Sequence, residues 1–220
     1  MNEDKQVKYQ ILAFMGKSGS GKDFTANYLW NKAPYKFHKV VSCTTRPPRD
    51  NEVDGKDYHF IDVGSFAGHV LDGSMLEATC YNNDWYYGTC ADYLNPNKIN
   101  VAVLNPEGIR RLAENKNVEL KVYYVDAFND KKRLIKILTR EIIPNCHEVC
   151  RRFLADEEMF DDIDDIDFTA LWNSYDEEYT DNLQLLFVKR PFEDFWLKFI
   201  LSKKHIYSNP KIIYIIGGTN

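Results

Sequence analysis

The stretch Gly16-Lys17-Ser18-Gly19-Ser20-Gly21-Lys22 decides the fold of this 220-residue chain. It follows the apolar run Ile11–Met15, which is typical of a buried strand, and it precedes the helix-like segment Phe24–Trp30. Glycines in this pattern let successive backbone N–H groups turn toward one anion at a helix start, while Lys22 adds a positive charge. Strand, glycine loop and helix in this order predict a phosphate-binding loop for a nucleoside triphosphate.

The residue after the loop lysine departs from the usual pattern. A Ser or Thr hydroxyl that binds Mg²⁺ is expected there, and this chain has Asp23. Two interpretations stay open. The Asp23 carboxylate ligates Mg²⁺ itself, directly or through water. Alternatively, Asp23 is a first-turn residue favoured by the helix dipole, and Thr25 or water serves the metal.

Size and charge limit the class of protein. The chain has 28 basic and 33 acidic residues and a net charge of -5, which argues against general nucleic-acid binding because that function needs a basic face. No apolar run is long enough to cross a bilayer, and the first ten residues lack the apolar core of a signal peptide. We therefore expect one α/β domain that acts in the cytoplasm, with neither a membrane nor a nucleic-acid partner.

The cysteines indicate a reducing compartment. Five cysteines without a disulfide-framework spacing are interpreted as reduced thiols. Cys146 and Cys150, with His147 between them, could form part of a metal site, but the sequence shows no second pair of ligands near them. A helix that exposes two thiols one turn apart is the interpretation we favour.

Strand-like and helix-like segments alternate along the chain. The predicted strands are Lys39–Ser42, Tyr58–Ile61, Met75–Ala78, Asn100–Leu104, Leu120–Val125 and Phe168–Trp172. Pro106 opens a helix, and Asn129 caps another that runs through Arg140. Such alternation around a phosphate-binding loop predicts a parallel central sheet with helices on both faces.

The C-terminal third is less informative. Asp156–Asp167 is strongly acidic and is interpreted as a solvated helix and turn, since no calcium-loop spacing appears. Pro191 opens a predicted amphipathic helix. Lys211–Ile216 is predicted to be either an edge strand or a contact surface for another subunit.

A second stretch, Ser42-Cys43-Thr44-Thr45-Arg46-Pro47-Pro48-Arg49, is more specific than the first. It continues as Asp50-Asn51-Glu52-Val53-Asp54-Gly55-Lys56-Asp57-Tyr58-His59-Phe60. Two arginines separated by rigid prolines form a fork suited to a phosphate dianion, because guanidinium groups pair bidentately with phosphate oxygens. Together with the phosphate-binding loop, this stretch resembles the guanylate kinase family over roughly residues 9 to 110.

The resemblance implies a fold and an activity. The fold would be α/β, a three-layer P-loop kinase with a parallel central sheet, a nucleoside-monophosphate-binding insert and a helical lid. The whole chain, 1–220, would form a single guanylate kinase-like domain with its core at about 8–42 and 98–220, its insert at about 43–97 and its lid at about 138–165. The activity would be Mg²⁺-dependent phosphoryl transfer from ATP to GMP or dGMP, in purine nucleotide metabolism, by a monomer or a homodimer.

The resemblance also implies which residues bind each nucleotide. The residues implied for ATP are Gly16, Lys17, Ser18, Gly19, Ser20, Gly21, Lys22, Asp23, Phe24 and Asn173. Those implied for GMP are Ser42, Arg46, Arg49, Tyr58, Glu77, Tyr87, Thr89 and Asn105. Tyr87 depends on matching Tyr87-Gly88-Thr89 to the family's Tyr-Gly-Ser with one extra residue after Asp84, so Tyr86 stays an alternative. The residues implied to be catalytic are Lys22, Arg46, Arg140 and Arg152. Of the lid arginines, Arg140 and the pair Arg151-Arg152, Arg152 fits the family's spacing better than Arg140 does.

Departures from the family concentrate at the metal. The strand-end motif that carries two aspartates in the family is Val103-Leu104-Asn105 here, so both carboxylates are missing. We hypothesise that Asp23 compensates as a Mg²⁺ ligand. Two alternatives to a guanylate kinase remain: a P-loop kinase with another acceptor, such as a different (deoxy)nucleoside monophosphate or a ribose bisphosphate, and an inactive binding module. Inactive modules of this family tend to lose the loop lysine, which this chain keeps as Lys22.

Overall fold

A computed structural model of the chain describes residues 8–49, 52–81, 85–127, 129–139, 144–173, 175 and 177–188. The strands are β1 (Tyr9–Met15), β2 (Phe37–Lys39), β3 (Cys43–Thr44), β4 (His59–Phe60), β5 (Met75–Tyr81), β6 (Trp85–Cys90), β7 (Ile99–Val103), β8 (Val118–Ala127) and β9 (Thr169–Asn173). The helices are α1 (Lys22–Lys32), α2 (Val63–Leu71), α3 (Pro106–Glu114), α4 (Asp130–Leu138), α5 (Cys146–Met159) and α6 (Glu177–Leu183). Arg140, the helix predicted from Pro191 and the segment Lys211–Ile216 lie outside the described residues.

Side-chain caps explain where several helices begin. In α2, α3, α4 and α5, the residue before the helix accepts a hydrogen bond from the backbone N–H three positions later. These caps are Asp62, Asn105, Asn129 and Asn145. Asp and Asn suit this position because their side-chain oxygens satisfy an N–H group that has no partner within the helix. The predicted starts at Pro106 and after the Asn129 cap are confirmed.

The strands form two sheets. The central sheet has the order β2-β7-β1-β8-β9, with β2 parallel to β7 and β8 parallel to β9. The second sheet has the order β4-β3-β6-β5 and is mostly antiparallel. The predicted α/β class, a central parallel sheet with flanking helices, is confirmed.

The chain divides into two compact units. The first contains the residues up to Ala13 together with Phe37–Lys121, and the second contains Phe14–Lys36 and the described residues from Val122 onward. The strands β1 and β8 each contribute residues to both units. The division into core, insert and lid that the sequence predicts stays a prediction.

The first unit has two apolar clusters. One joins the buried side chains of Ile11, Leu76, Leu94, Ala102 and Leu112, which come from β1, β5, β7, α3 and the segment between β6 and β7. The other joins Cys43, Phe66 and Cys90 and lies between the second sheet and α2. Burial of α2 against this sheet therefore rests on Phe66, which is the buried residue of that helix.

The second unit is packed around aromatic rings. Phe14 of β1 lies 5.9 Å from Tyr123 of β8 and 6.0 Å from Phe187, measured between ring centroids. Tyr123 and Phe187 pack edge to face at 5.0 Å. Aromatic pairs at these separations add to the stabilisation from burial, so Phe187 ties the end of the described chain to the central strands.

The predicted strands differ from the structure in two places. The strand predicted at Lys39–Ser42 is β2, which ends at Lys39; Val40 still donates to the Val101 carbonyl, after which the chain leaves for the second sheet. The strand β6 was not predicted, although it pairs along the whole of β5 and with β3. Among the described residues, no helix combines the length and the apolar character needed to cross a bilayer.

Candidate active site

The phosphate-binding loop has the close contacts that its glycines predict. Gly19 and Gly21 have φ values of 80° and 96°, in the left-handed region that favours glycine. A Cβ atom at Gly21 would lie 2.1 Å from the Asn173 side-chain nitrogen, and one at Gly19 would lie 2.9 Å from the Arg133 carbonyl oxygen. The loop therefore has this shape only with glycine at both positions. The Thr25 N–H donates to the Gly21 carbonyl at 2.9 Å, which starts α1 directly behind the loop.

Arg133 on α4 is a buried arginine that anchors this loop. Its side chain is 1% exposed and contacts the carboxylates of Asp130 at 3.0 Å, Asp156 at 3.4 Å and Glu157 at 2.9 Å. It also donates to the Ser18 carbonyl at 3.3 Å. A buried guanidinium surrounded by carboxylates is stable only while those partners stay in place, so Arg133 joins α4, α5 and the loop.

Two of the four acidic residues of α5 hold the loop directly as well. Asp156 accepts a hydrogen bond from the Ser18 N–H at 2.6 Å, and Glu157 pairs with the Lys17 ammonium at 2.5 Å. The prediction that the acidic segment is solvated is wrong for Asp156, whose side chain is 13% exposed. The reason is the buried charge of Arg133, which lies far away in sequence and compensates the acidic side chains.

The polar side chains at the start of α1 differ in their availability. The Lys22 ammonium lies 3.6 Å from the Asp23 carboxylate, and the Asp23 side chain is 64% exposed. The Thr25 hydroxyl donates to the Gly21 carbonyl and also bonds to the Tyr179 hydroxyl at 2.7 Å in the interior. The Asp23 carboxylate is thus accessible to a cation, whereas the Thr25 hydroxyl is already occupied by two hydrogen bonds within the protein.

A cavity of about 390 Å³ opens beside the loop. Its lining residues are Gly19, Gly21, Phe24, Lys136, Thr139, Asn173, Tyr175 and Tyr179. The volume lies in the range of small-molecule sites, and rings with a few polar groups are their usual lining. The structure therefore brings Phe24 and Asn173, both predicted from the resemblance, together with the loop glycines at one cavity. It adds Tyr175 and Tyr179, which the sequence analysis missed.

Asn173 and Tyr175 shape the cavity through backbone contacts. The Asn173 amide donates to the Ser20 carbonyl at 2.8 Å, and its oxygen accepts from the Tyr175 N–H at 2.8 Å. Tyr175 has a φ of 63°, which is unusual for a residue other than glycine, and its hydroxyl donates to the Gly19 carbonyl at 2.6 Å. The Ser20 hydroxyl is 1% exposed and has no partner among the described residues, so the loop still has a buried polar group to satisfy.

Asp126 is a second carboxylate near the loop that the sequence analysis missed. It lies near the end of β8, next to Val125, whose carbonyl oxygen would be 2.3 Å from a Cβ atom at Gly16. Burial raises the pKa of the Asp126 carboxyl, and attraction to Lys17 opposes that rise. A polar residue at the carboxyl end of a predicted parallel strand is the signal that could have identified it.

In the first unit, Arg46 lies at the centre of a polar cluster on the second sheet. Its side chain is 6% exposed, its guanidinium donates to Glu52 at 2.8 Å, and it lies 5.5 Å from the ring centroid of Tyr58. Hydrogen bonds to Glu52 and to Tyr87 raise the pKa of Arg46 above its usual value. Arg46 thus keeps its charge in a buried setting next to two tyrosines.

Glu52 connects the two arginines of the fork. One of its carboxylate oxygens accepts from the Arg46 side chain, and the other accepts from the Arg49 N–H at 2.8 Å. These hydrogen bonds hold the pKa of the Glu52 carboxyl below its usual value. The Arg49 side chain is exposed. The sequence analysis quoted Glu52 without a role; its signal is an acid six residues after Arg46.

The structure distinguishes the two candidate tyrosines. Tyr87 packs edge to face on Tyr58, with ring centroids 5.8 Å apart, and bonds to Arg46. Tyr86 points to the other face of the sheet, where its ring packs against Phe66 at 5.6 Å. Successive side chains of a strand alternate between faces, so only one of the two can join the arginine.

Glu77 and Thr89 form a buried pair on the same sheet. They are paired residues of β5 and β6, and the Thr89 hydroxyl donates to the Glu77 carboxylate at 2.9 Å. Glu77 is 7% exposed, and its burial raises the pKa of the carboxyl to about 7, with the Thr89 hydrogen bond acting in the opposite direction. A carboxylate has about four sites that accept hydrogen bonds, so Glu77 can still bind further donors besides the hydroxyl and the backbone N–H of Thr89.

The remaining candidates have structural contacts of their own. Asn105 is exposed and caps α3 by accepting from the Gly108 N–H at 2.8 Å. The carbonyl of Ser42 accepts from the His59 N–H at 2.9 Å. Arg152 on α5 pairs with Glu148 at 2.6 Å, as does Arg151 at 2.7 Å, and both arginines are about half exposed.

A sequence model of the family described as guanylate kinase matches residues 8–132, which is more than half of the chain. The chain belongs to the guanylate kinase family.

Curated members of the guanylate kinase family are similar over a shorter stretch. The guanylate kinase of Streptococcus thermophilus is 41% identical over 85 residues, which is 39% of this chain and 40% of that protein. The guanylate kinase of Helicobacter pylori is 40% identical over 89 residues, 40% of each chain. The matched stretch therefore spans about two fifths of the length of these relatives.

A solved structure of the guanylate kinase family has the same fold. The crystal structure of guanylate kinase from Anaplasma phagocytophilum gives a TM-score of 0.56 at 20% identity, over 91% of this chain and 96% of that one. The predicted P-loop kinase fold is thereby confirmed.

Proposed function

We propose that this chain is an ATP-dependent guanylate kinase that converts ATP and GMP, or dGMP, into ADP and GDP, or dGDP. One observation carries the proposal: the buried Glu77–Thr89 pair shares a sheet with the Arg46–Tyr58–Tyr87 cluster. A carboxylate for a base and a guanidinium for a phosphate are the two recognition elements that a nucleoside monophosphate requires.

The Glu77 carboxylate suits guanine. It can accept from guanine N1–H and from the 2-amino group, two neighbouring donors that adenine does not present. Binding adenine would leave a buried acceptor without a donor, which costs about 1–3 kcal/mol or more. Thr89 fixes the carboxylate through its hydroxyl, and Ser42 and Asn105 are proposed as further contacts of the nucleotide.

Arg46, Arg49, Tyr58 and Tyr87 are proposed to bind the acceptor phosphate. The charge of Arg46 is already balanced by Glu52, so a phosphate dianion would share the guanidinium with that carboxylate. The exposed Arg49 adds a charge from the other side of the prolines. Tyrosine hydroxyls donate without adding charge, which helps to orient the phosphate.

The loop and the adjoining cavity are proposed to bind ATP. Backbone N–H groups of Gly16–Lys22 and the start of α1 would hold the phosphates, with Lys22 at the outer ones. The cavity formed by Phe24, Asn173 and Tyr175 would take the adenine ring between aromatic side chains. The unpartnered Ser20 hydroxyl gives the loop one further group for a polar ligand.

Mg²⁺ is the proposed cofactor, and the residues present fit it. The exposed Asp23 carboxylate and the Asp126 carboxylate are the groups that would hold it, because carboxylates and water are the ligands that Mg²⁺ prefers. When bound, Mg²⁺ neutralises charge on the transferring phosphate. Lys22, Arg46 and the predicted lid arginines Arg140 and Arg152 are proposed to stabilise the remaining charge and to exclude water.

The proposed reaction needs no covalent intermediate. An oxygen of the GMP phosphate attacks the γ-phosphorus of ATP, and the bond from that phosphorus to the β-phosphate oxygen breaks. The protein contributes position and charge, which dominate the catalysis of phosphoryl transfer. We propose that the reaction takes place in the cytoplasm, a reducing compartment consistent with five free thiols.

An ATP-coupled assay of the full chain with GMP, dGMP, AMP, dTMP and CMP tests the proposal. We expect turnover with GMP or dGMP and little with the others. Turnover with a different monophosphate would show that this nucleotide, and not GMP, is the acceptor. Measurable GMP binding without turnover of any of the five would identify a binding module.

Arg46→Ala and Arg49→Ala are expected to weaken GMP binding to different extents. Loss of the buried Arg46 leaves a phosphate charge unpaired, which costs on the order of 2–5 kcal/mol, whereas the exposed Arg49 should cost on the order of 1–2 kcal/mol. Calorimetry with GMP and with guanosine measures both effects.

Guanosine provides the control because it lacks the phosphate. Its affinity should be the same for both variants and the unmodified chain. Since removal of Arg46 also leaves Glu52 without its charged partner, Arg49→Ala, which changes an exposed side chain, is the variant expected to keep the fold. A comparable loss of guanosine affinity in Arg49→Ala would show that the fork is structural.

Asp23→Ala and Asp126→Asn are each expected to raise the Mg²⁺ concentration needed for half-maximal activity. If both carboxylates serve one cation, the double variant should differ from the sum of the two single changes, because groups that share a ligand do not act independently. Magnesium titrations of the four proteins measure this coupling. Unchanged Mg²⁺ dependence in Asp23→Ala would mean that Asp23 is only a first-turn residue of α1.

A further inference from the structure

A cluster of metal-ligating side chains lies in the first unit and has no part in the proposed nucleotide sites. It consists of His69 near the end of α2, Cys90 at the end of β6 and Asp92 in the short helical turn Ala91–Tyr93. The Nδ1, Sγ and carboxylate oxygen atoms of these residues all lie within 4.8 Å of one another. We propose that His69, Cys90 and Asp92 bind a zinc ion.

The distances within the cluster fit a shared metal ion, and the sulfur–nitrogen contact is a hydrogen bond when no metal is bound. The Sγ atom of Cys90 lies 3.6 Å from His69 Nδ1, and an Asp92 oxygen lies 3.7 Å from the same nitrogen. A nitrogen–oxygen separation of 3.7 Å is too long for a hydrogen bond. Tetrahedral zinc, with bonds of about 2.3 Å to sulfur and about 2.0–2.1 Å to nitrogen and oxygen, puts its ligands about 3.4–3.6 Å apart.

The donor set determines which metal is expected. A thiolate and an imidazole favour zinc over the magnesium and calcium that carboxylates alone would select. Cys90 is 1% exposed, so its sulfur is held in the interior, whereas the Asp92 side chain is 60% exposed and gives solvent access. Three protein ligands leave a fourth position, which water can reach from the Asp92 side. On binding, Cys90 releases its thiol proton to the solvent.

Two neighbouring groups support the ligands from outside. The thiols of Cys43 and Cys90 are joined by a hydrogen bond, which orients the sulfur. The Ser74 hydroxyl lies 2.8 Å from His69 Nδ1 and 3.8 Å from Cys90 Sγ, so it occupies the imidazole in the metal-free protein and must turn away when zinc binds.

The site would join the second sheet to α2, a helix that has few other buried contacts. The helix α2 has one buried residue, Phe66, and His69 lies one turn beyond it. A zinc ion would tie the end of α2 to the end of β6. Cys90 directly follows Thr89, whose side chain lies on the other face of the sheet and pairs with Glu77 in the proposed guanine site. Zinc is therefore expected to stabilise the sheet without contacting the nucleotide.

Metal titration of the chelator-treated full chain tests the site. We expect one zinc ion per chain in competition with a chromophoric chelator, a higher unfolding temperature with zinc, and near-ultraviolet thiolate-to-cobalt absorption when Co²⁺ replaces it. Cys90→Ser should abolish the absorption, and Asp92→Asn should lower zinc affinity by about tenfold or more. Asp92 is exposed, so its variant tests the proposal even if Cys90→Ser fails to fold.

Matched controls distinguish this cluster from the other thiols. Cys80→Ser removes an exposed thiol from β5, and Cys150→Ser removes one from α5. Both should bind zinc as tightly as the unmodified chain. The proposal is overturned if the unmodified chain retains no zinc against the competitor, if Asp92→Asn binds zinc unchanged, or if Cys150→Ser loses the metal.

Discussion

Lys22→Ala is expected to reduce phosphoryl transfer by at least about 10³-fold while leaving GMP binding nearly unchanged. In the proposed function, Lys22 is the positive charge at the outer phosphates of ATP, and neutral backbone N–H groups cannot replace it. The acceptor phosphate is proposed to bind to Arg46 and Arg49 instead. Single-turnover kinetics measures the first effect, and calorimetry with GMP measures the second.

Lys32→Ala serves as the matched control for this experiment. Lys32 lies at the last turn of the same helix and is exposed, so its removal changes the net charge equally without touching the loop. Its turnover should equal that of the unmodified chain. A similar loss of GMP affinity in Lys22→Ala and in Arg46→Ala would contradict the division between a donor site and an acceptor site.

Glu77→Gln is expected to lower kcat/KM for GMP by on the order of 10²-fold or more and to narrow the preference for GMP over AMP. An amide offers one acceptor where guanine presents two donors, and its own N–H₂ group opposes them. Steady-state kinetics with both nucleotides gives the ratio. An unchanged ratio would move base recognition away from Glu77.

The raised pKa of Glu77 gives the same residue a pH signature. Because the carboxyl of the free protein titrates at about 7, kcat/KM for GMP should rise between pH 6 and pH 8 as the carboxylate forms. The phosphate of GMP titrates near 6, so Glu77→Gln should retain only that lower transition. If the transition in kcat/KM near pH 7 disappears in Glu77→Gln but remains in Asp23→Ala, that transition belongs to the Glu77 carboxyl.

As pH rises, the folding stability of the unmodified chain should fall over the same range in which its activity toward GMP rises. A carboxyl whose pKa is raised on folding favours the folded state at low pH, and this contribution is lost as pH rises from 4.5 through about 7. Glu77→Gln removes the charge that burial disfavours, and Gln can still accept from Thr89. The free energy of unfolding at pH 8 should therefore be about 2–3 kcal/mol higher for Glu77→Gln than for the unmodified chain. At pH 4.5 the two proteins should differ little. Thermal unfolding at the two pH values measures it.

Local sequence was sufficient where chemistry depends on consecutive residues. The phosphate-binding loop, the Asn129 cap and the Pro106 helix start could be predicted because backbone conformation and capping act over a few positions. The same is true of the arginine fork, although its partner Glu52 was missed. Its hydrogen bonds depend on how the polar loop folds back on itself, which composition does not indicate.

Register could not be read from sequence at the tyrosines. Tyr86 and Tyr87 are adjacent, and a shift of one residue in a strand moves every side chain to the opposite face. Only the pairing of β6 with β3 and β5 places Tyr87 beside Arg46 and Tyr86 beside Phe66.

By itself, the sequence determined a P-loop kinase fold and predicted phosphate sites on it, since its loop glycines and its arginine fork carry that chemistry locally. The tertiary structure decided three further features: the carboxylates around Arg133, the cavity at Tyr175 and the cluster of His69, Cys90 and Asp92. Each of these joins residues that are distant in the chain. Their proximity follows from the packing of helices and strands, which no local pattern encodes.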